Sequence, residues 1–330
     1  MTVIDAGRVS ARVQRYLRVP SVVGFEQPFL AVLEADLHAL GRSSERRPGL
    51  LAAPGGPVTV SAHVDRHGFV TGPGGALAYA ANEVSHRALS PRLAAVVCTR
   101  YDQEDVVAYD TETGRILGRA TIVHGGHCGI GPELDLEAPE LAHLPASTPV
   151  AFTPPPQEEP GALVGQLDNT LSAAMAVELL ASGFDGTVLF TCGEEAGRSW
   201  LALASWFDRP STRLFVLDTS PFDDAGPVER GTAVLRHADA GAEFDSSTTG
   251  QLADAAQRVG VDILWKDDIL SRAGRPLGRT ELGRVISETA GRVSGSTLQI
   301  PTTDYHTNRE RTSWTAIEAV GRVLVAATLV

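Results

Sequence analysis

Residues 172–191 read SAAMAVELLASGFDGTVLFT, and this stretch decides the fold class. Its first half, 172–182, is rich in Ala and Leu and predicts a helix. Its end, TVLFT at 187–191, is a short unbroken apolar run, as expected of a buried strand. Outward from it the alternation continues. Residues 198–207 predict a helix, 214–217 a second buried strand, 250–259 a helix, 297–300 a strand, and 314–329 a closing helix rich in Ala and Val. Strands alternating with helices imply an α/β sheet with covering helices.

Upstream, residues 58–62 form a short strand candidate that ends at His63-Val64-Asp65. Residues 8–40 predict two helices, with Val9, Val13 and Leu17, then Phe29, Leu30, Leu33, Leu37 and Leu40, at helical spacing. Residues 46–56 read as a loop. From 71 to 159 the texture changes to loops with short β-like pieces at 93–99, 105–109, 115–123 and 149–153, and a hairpin turn at 111–114. The Pro-rich run 154–161 reads as a linker. The expected organisation is a mixed sheet sandwiched by helices, built from residues 1–70 and 161–330, with a β-rich insertion at 71–160.

The 330 residues are 43% hydrophobic and 21% charged, an ordinary globular balance, and carry a formal net charge of −12. That charge argues against nucleic acid or an anionic membrane surface as the main partner. Cys98, Cys128 and Cys192 are too few for a disulfide framework and suit a reducing, cytoplasmic compartment. The first eighteen residues lack the apolar core of a signal peptide, and no window is apolar enough to span a membrane.

Four features fall at the ends of the expected strands: His63-Val64-Asp65, Asp168-Asn169, Glu194-Glu195 and Asp218; a fifth, His306, lies a few residues beyond the 297–300 strand. In open α/β sheets the carboxyl ends of strands border the binding crevice. An aspartate can offer one oxygen to each of two divalent ions, and His with carboxylate suits zinc, cobalt or manganese. Paired ions polarise a carbonyl and acidify a water between them, and one carboxylate free of metal must take the proton. Adjacent glutamates suit that division, and Asp65 is placed to orient the His63 imidazole. Taken singly each residue has an ordinary explanation: Asp168 as a helix cap, Asp218 as a turn residue, Glu194-Glu195 as a solvated loop. Their joint placement beside buried strands carries the argument. A glycosidase would leave the histidines idle. His124-Gly125-Gly126-His127-Cys128 has metal-like spacing but no evident fourth ligand, and reads better as a loop.

The segments SAHVDRHGF (61–69), QLDNTLSAAMAVELL (166–180), FTCGEEAG (190–197), VLDTSP (216–221) and IPTTDYHT (300–307) resemble the M42 family of dinuclear metallo-aminopeptidases. VPSVVGFEQ (19–27) and GAEFDSS (241–247) are similar to further motifs of that family. The resemblance runs over most of the chain and thins in the insertion. It implies that His63 and Asp218 bind one metal ion, Glu195 and His306 the other, that Asp168 bridges them, that Glu194 is the general base, and that Asp65 supports His63. It further implies two divalent ions, zinc foremost, peptide substrates, a small β-barrel-like inserted domain, a cis bond after Asp168, and self-assembly into hollow particles, commonly dodecamers. A deacylase acting on small N-acyl compounds is the alternative on the same centre. The chain departs from the family pattern at Arg66-His67, at Glu281 and at Asp304. Glu281 and Asp304 are the candidates to receive a substrate amine, and Asp304 would turn preference away from acidic N-terminal residues.

Overall fold

Eight strands form one mixed sheet, in the order Glu45–Arg47, Leu50–Ala53, Gly186–Thr191, Gly56–His63, Ser211–Pro221, Val293–Thr302, Ala233–Leu235 and Ile263–Trp265. The four central strands are mutually parallel. This is a computed structural model, which describes residues 4–125, 134–157 and 159–329. The alternation of side chains along each strand supplies two faces. Val188 and Phe190, Phe215 and Leu217 point to one core, shared with the helices Ala6–Leu17, Gln27–Ala39, Leu167–Ala181, Ser246–Val259 and Trp314–Thr328. Leu189, Leu214 and Val216 point to the other, under Ser199–Trp206 and Glu281–Glu288. The helices sandwich the sheet as expected.

The reading of residues 46–56 as a loop is corrected. Glu45–Arg47 and Leu50–Ala53 are antiparallel strands of the main sheet, and all of Leu50–Ala53 is buried. Short length hid them.

A second, five-stranded antiparallel sheet is drawn from residues 69–152, in the order Leu77–Tyr79, Phe69–Thr71, Pro149–Phe152, Asp105–Tyr109 and Ile116–Thr121. It has its own core around Phe69, Tyr101, Tyr109 and Phe152. The Asp105–Tyr109 and Ile116–Thr121 strands form the expected hairpin, with Gly114 left-handed at φ +69°. The sheet is open among the described residues, so the barrel implied by the resemblance is not closed. Residues 93–99 are not β-like: they belong to the helix Pro91–Tyr101, capped by the Ser90 hydroxyl accepting from the Leu93 N–H. The linker run is irregular, as expected, and Gln157 anchors it by bonding both the N–H and the carbonyl of Val164; Glu158 lies outside the described residues. No described helix is long and apolar enough to cross a membrane.

Candidate metal centre

The parallel strands end along one edge of the sheet, and the chemistry-bearing residues gather there. His63 closes Gly56–His63, in register with Thr191 of the neighbouring strand, after which the chain turns through Gly193 into Glu194-Glu195. Asp218 lies within Ser211–Pro221, and His306 follows Val293–Thr302 on a loop where Asp304 and His306 are both left-handed, at φ +55° and +59°. Asp168 opens Leu167–Ala181 with non-helical backbone, and its bond to Asn169 is cis.

Asp168 stands between the two histidines. Its Oδ1 is 3.1 Å from His63 Nε2 and its Oδ2 is 3.4 Å from His306 Nε2. Asp218 Oδ1 is 3.7 Å from His63 Nε2, and Glu195 Oε2 is 4.0 Å from His306 Nε2. Two groups result, each with ligand atoms within 4.8 Å of one another: His63 with Asp168 and Asp218, and His67 with Glu195 and His306. These residue types fit divalent ions. His67 Nε2, Asp168 Oδ1 and Glu195 Oε1 are buried without a hydrogen-bond partner among the described residues, although charged neighbours stand close. Buried polar atoms ordinarily have partners, so atoms that converge without pairing suit a shared cation.

The electrostatics agree. Burial alone would lower the His63 imidazole, but Asp168, Asp218 and Asp65 raise it well above its ordinary value: the site draws positive charge. Burial opposes the Asp168 charge, yet His306 and His63 hold that carboxyl far below the usual range. Burial pushes Glu195 up to about 8 against the pull of His306, and raises Glu194 well above the carboxylate range. Burial lowers His67 to about 4, leaving a neutral ring.

Asp65 Oδ1 stands 3.6 Å from His63 Nδ1 and helps to raise that imidazole. Its two oxygens also accept from the backbone N–H groups of Glu194 and Glu195, at 3.0 and 2.9 Å. It holds the loop that carries both glutamates.

A cavity of about 390 Å³ opens over the centre, with His63, Asp168, Glu194, Glu195, Asp218 and His306 in its wall. Neither Glu281 nor Asp304 lines it. Glu281 is buried, accepting from the hydroxyls of Thr191 and Ser61, while Asp304 accepts from its neighbour Thr303. Arg66 turns away, donating to the carbonyls of Leu17 and Val19. His124 is half-exposed, and its partners in that motif, His127 and Cys128, lie outside the described residues.

Two residues escaped the sequence reading. His67 was noted only as a departure, though it follows His63 by four positions. Glu310 carries no motif; its carboxylate accepts from the N–H of Asp168 at 2.7 Å and of His306 at 2.6 Å, tying the central aspartate to the second histidine.

No protein-family model matches the chain, and no curated protein matches it in sequence. Solved structures do match in fold. An aminopeptidase from the archaeon Desulfurococcus kamchatkensis is 14% identical, with a TM-score of 0.77 over 98% of this chain and 95% of its own. The TET1 peptidase of Pyrococcus horikoshii, which can assemble into a tetrahedron or a large octahedral shell, is 16% identical, with a TM-score of 0.71 over 97% and 99%. A Thermotoga maritima protein described as an endoglucanase is 14% identical, with a TM-score of 0.66 over 96% of both chains. The chain therefore has the fold of the TET aminopeptidases over nearly its whole length.

Proposed function

We propose that the chain is a dinuclear metal-dependent aminopeptidase. The observation that carries this reading is Asp168, which presents one oxygen to each of two histidine–carboxylate groups, with Glu194 beside them. His63, Asp168 and Asp218 would hold one ion, and Asp168, Glu195 and His306 the other. Zinc suits this mixture of imidazole and carboxylate, with cobalt or manganese as substitutes. Bound there, the ions would polarise the scissile carbonyl and acidify water.

The rest falls to the chain. No hydrogen bond commits the Glu194 carboxylate among the described residues, and burial raises its affinity for a proton, which strengthens it as a base. It takes a proton from the attacking water as the oxygen bonds to the carbonyl carbon. It returns that proton to the departing nitrogen as the C–N bond breaks. Asp65 keeps Glu194 in place through the backbone. A glycosidase, which the description of the Thermotoga protein would suggest, leaves the histidines without work.

The test is Glu194→Gln. Turnover of aminoacyl amides falls by about 100-fold or more, while metal analysis finds both ions retained; activity near that of the parent removes the mechanism. One observation favours a second reading, a deacylase of small N-acyl compounds. Glu281 and Asp304 do not line the cavity, so no carboxylate outside the centre is placed to receive a free amine among the described residues. Turnover of N-acetylated substrates with none of free-amine peptides selects that reading.

The tetrahedral or octahedral assembly of the Pyrococcus peptidase and the dodecamer of a matching TET structure, PhTET1, support a homo-oligomer of this chain, with residues 71–160 as an inserted domain that governs access and contacts. A single-chain mass by light scattering at micromolar concentration removes this part. The sparse cysteines, Cys98 and Cys192 among them unpaired, support a cytoplasmic setting.

A further inference from the structure

The ligand set implied by the resemblance stops at five residues, and His67 is not among them. The side chain is nonetheless built into the second group. It is 7% exposed, and its ring packs edge-on against His306 with centroids 4.2 Å apart. Its Nδ1 is 2.6 Å from the Tyr79 hydroxyl, and its backbone carbonyl accepts from Gln166 Nε2 at 2.9 Å. Both ends of the residue are thus fixed, and Nε2 is left facing Glu195 and His306.

Nε2 lies 2.9 Å from Glu195 Oε2 and yet has no hydrogen-bond partner among the described residues. The two atoms are close without being aimed at each other. That is the relation of two ligands to one ion. Nitrogen and oxygen ligands about 2.1 Å from a zinc-like ion, at angles near 90–110°, stand about 3.0–3.4 Å apart. The same spacing recurs between Asp168 and each of the other two histidines, at 3.1 and 3.4 Å.

We propose that His67 is a protein ligand of the second ion, oriented for that task by Tyr79. This inference rests on the dinuclear reading above. It makes the centre asymmetric. The second ion has four protein ligands, His67, Asp168, Glu195 and His306, a complete set for a tetrahedral ion. The first has three, His63, Asp168 and Asp218, and keeps a position for substrate. The imidazole-rich second position holds its ion more tightly, and the first is the exchangeable one. Tyr79 plays the outer part that usually fixes a ligating imidazole.

The test uses the full-length protein stripped of metal and reloaded with Co(II). The wild type binds two ions per chain with distinct affinities. In His67→Leu, the affinity of the tighter ion falls by about 100-fold. The Co(II) visible spectrum also weakens, as water replaces an imidazole. His67→Asp restores a ligand atom and recovers most of the affinity, which separates ligand loss from misfolding. Two ions bound by His67→Leu with unchanged affinities and spectrum overturn the proposal and leave the dinuclear reading standing. A wild type that binds no ion pair overturns both.

Discussion

At the scale of single residues, Glu310 and Asp65 show how backbone amides are used to place ligands. Each spreads one carboxylate over two N–H groups: Asp65 over the paired glutamates, Glu310 over Asp168 and His306. Glu310 is buried, which pushes its carboxyl well above the ordinary range, and the two N–H donors oppose that push. Glu310→Gln keeps the volume but sets an amide donor against one of the two N–H groups. Metal affinity, measured against a competing chelator, is expected to fall by about 10–100-fold with the circular-dichroism spectrum unchanged; equal affinity would show that Glu310 positions nothing. His63, Asp168, Glu195, Asp218 and His306, the proposed ligands other than His67, were legible in sequence through their placement beside apolar strands. Glu310 was not. Its contact with Asp168 spans 142 positions and exists only because Ala162–Gly165 pairs with Glu310–Ser313, placing Glu310 opposite Gly165. Sequence spacing holds no trace of that pairing.

At the scale of elements, the central strands and long helices were readable because burial on both faces or on one stripe writes itself into composition. The failures have physical causes. In Pro91–Tyr101 the buried face is Ala94, Val97 and Tyr101, a helical spacing. Leu93 and Val96 are apolar and exposed on the other side, which erases the contrast and makes the run look strand-like. The Ser90-Pro91 start was the better signal. This helix matters to the site, since the Tyr101 hydroxyl donates to the His306 carbonyl across the junction of the two sheets. Leu167–Ala181, buried from Leu167 to Leu180, carries Glu178 in its interior-facing run. The charge is met from the first helix by Arg8 and Arg12, and Arg12 also reaches Asp36 of the second. One buried carboxylate thus fixes how the N-terminal helices lie behind Asp168. Unpaired, it would be strongly destabilising.

At the scale of the molecule, the cavity wall is assembled from both sheets' surroundings, and in a chain of net charge −12 it sets four arginines beside the four carboxylates of the centre. The insertion contributes Arg87 and Arg100, the main fold Arg279 and Arg284. None of the four makes an ion pair among the described residues. The expectation that Asp304 turns preference away from acidic residues loses its premise, because Asp304 does not reach the cavity. Arginines that gain a carboxylate partner on binding contribute about 1.5–3 kcal/mol through charged hydrogen bonds, or about 10–100-fold in kcat/KM. N-terminal Glu and Asp substrates are therefore expected to exceed Lys and Arg substrates by at least tenfold in a panel of aminoacyl amides. Arg100 acts on His67 and Tyr101 through its charge and so stands near the centre. Arg100→Met should shrink the acidic preference severalfold while leaving turnover of Leu and Ala substrates near the parent level. Equal rates across the charge series in the parent would mean that the arginines face solvent or a neighbouring chain rather than the substrate. A loss that is the same for every substrate in Arg100→Met would place Arg100 in support of the His67 side of the centre instead.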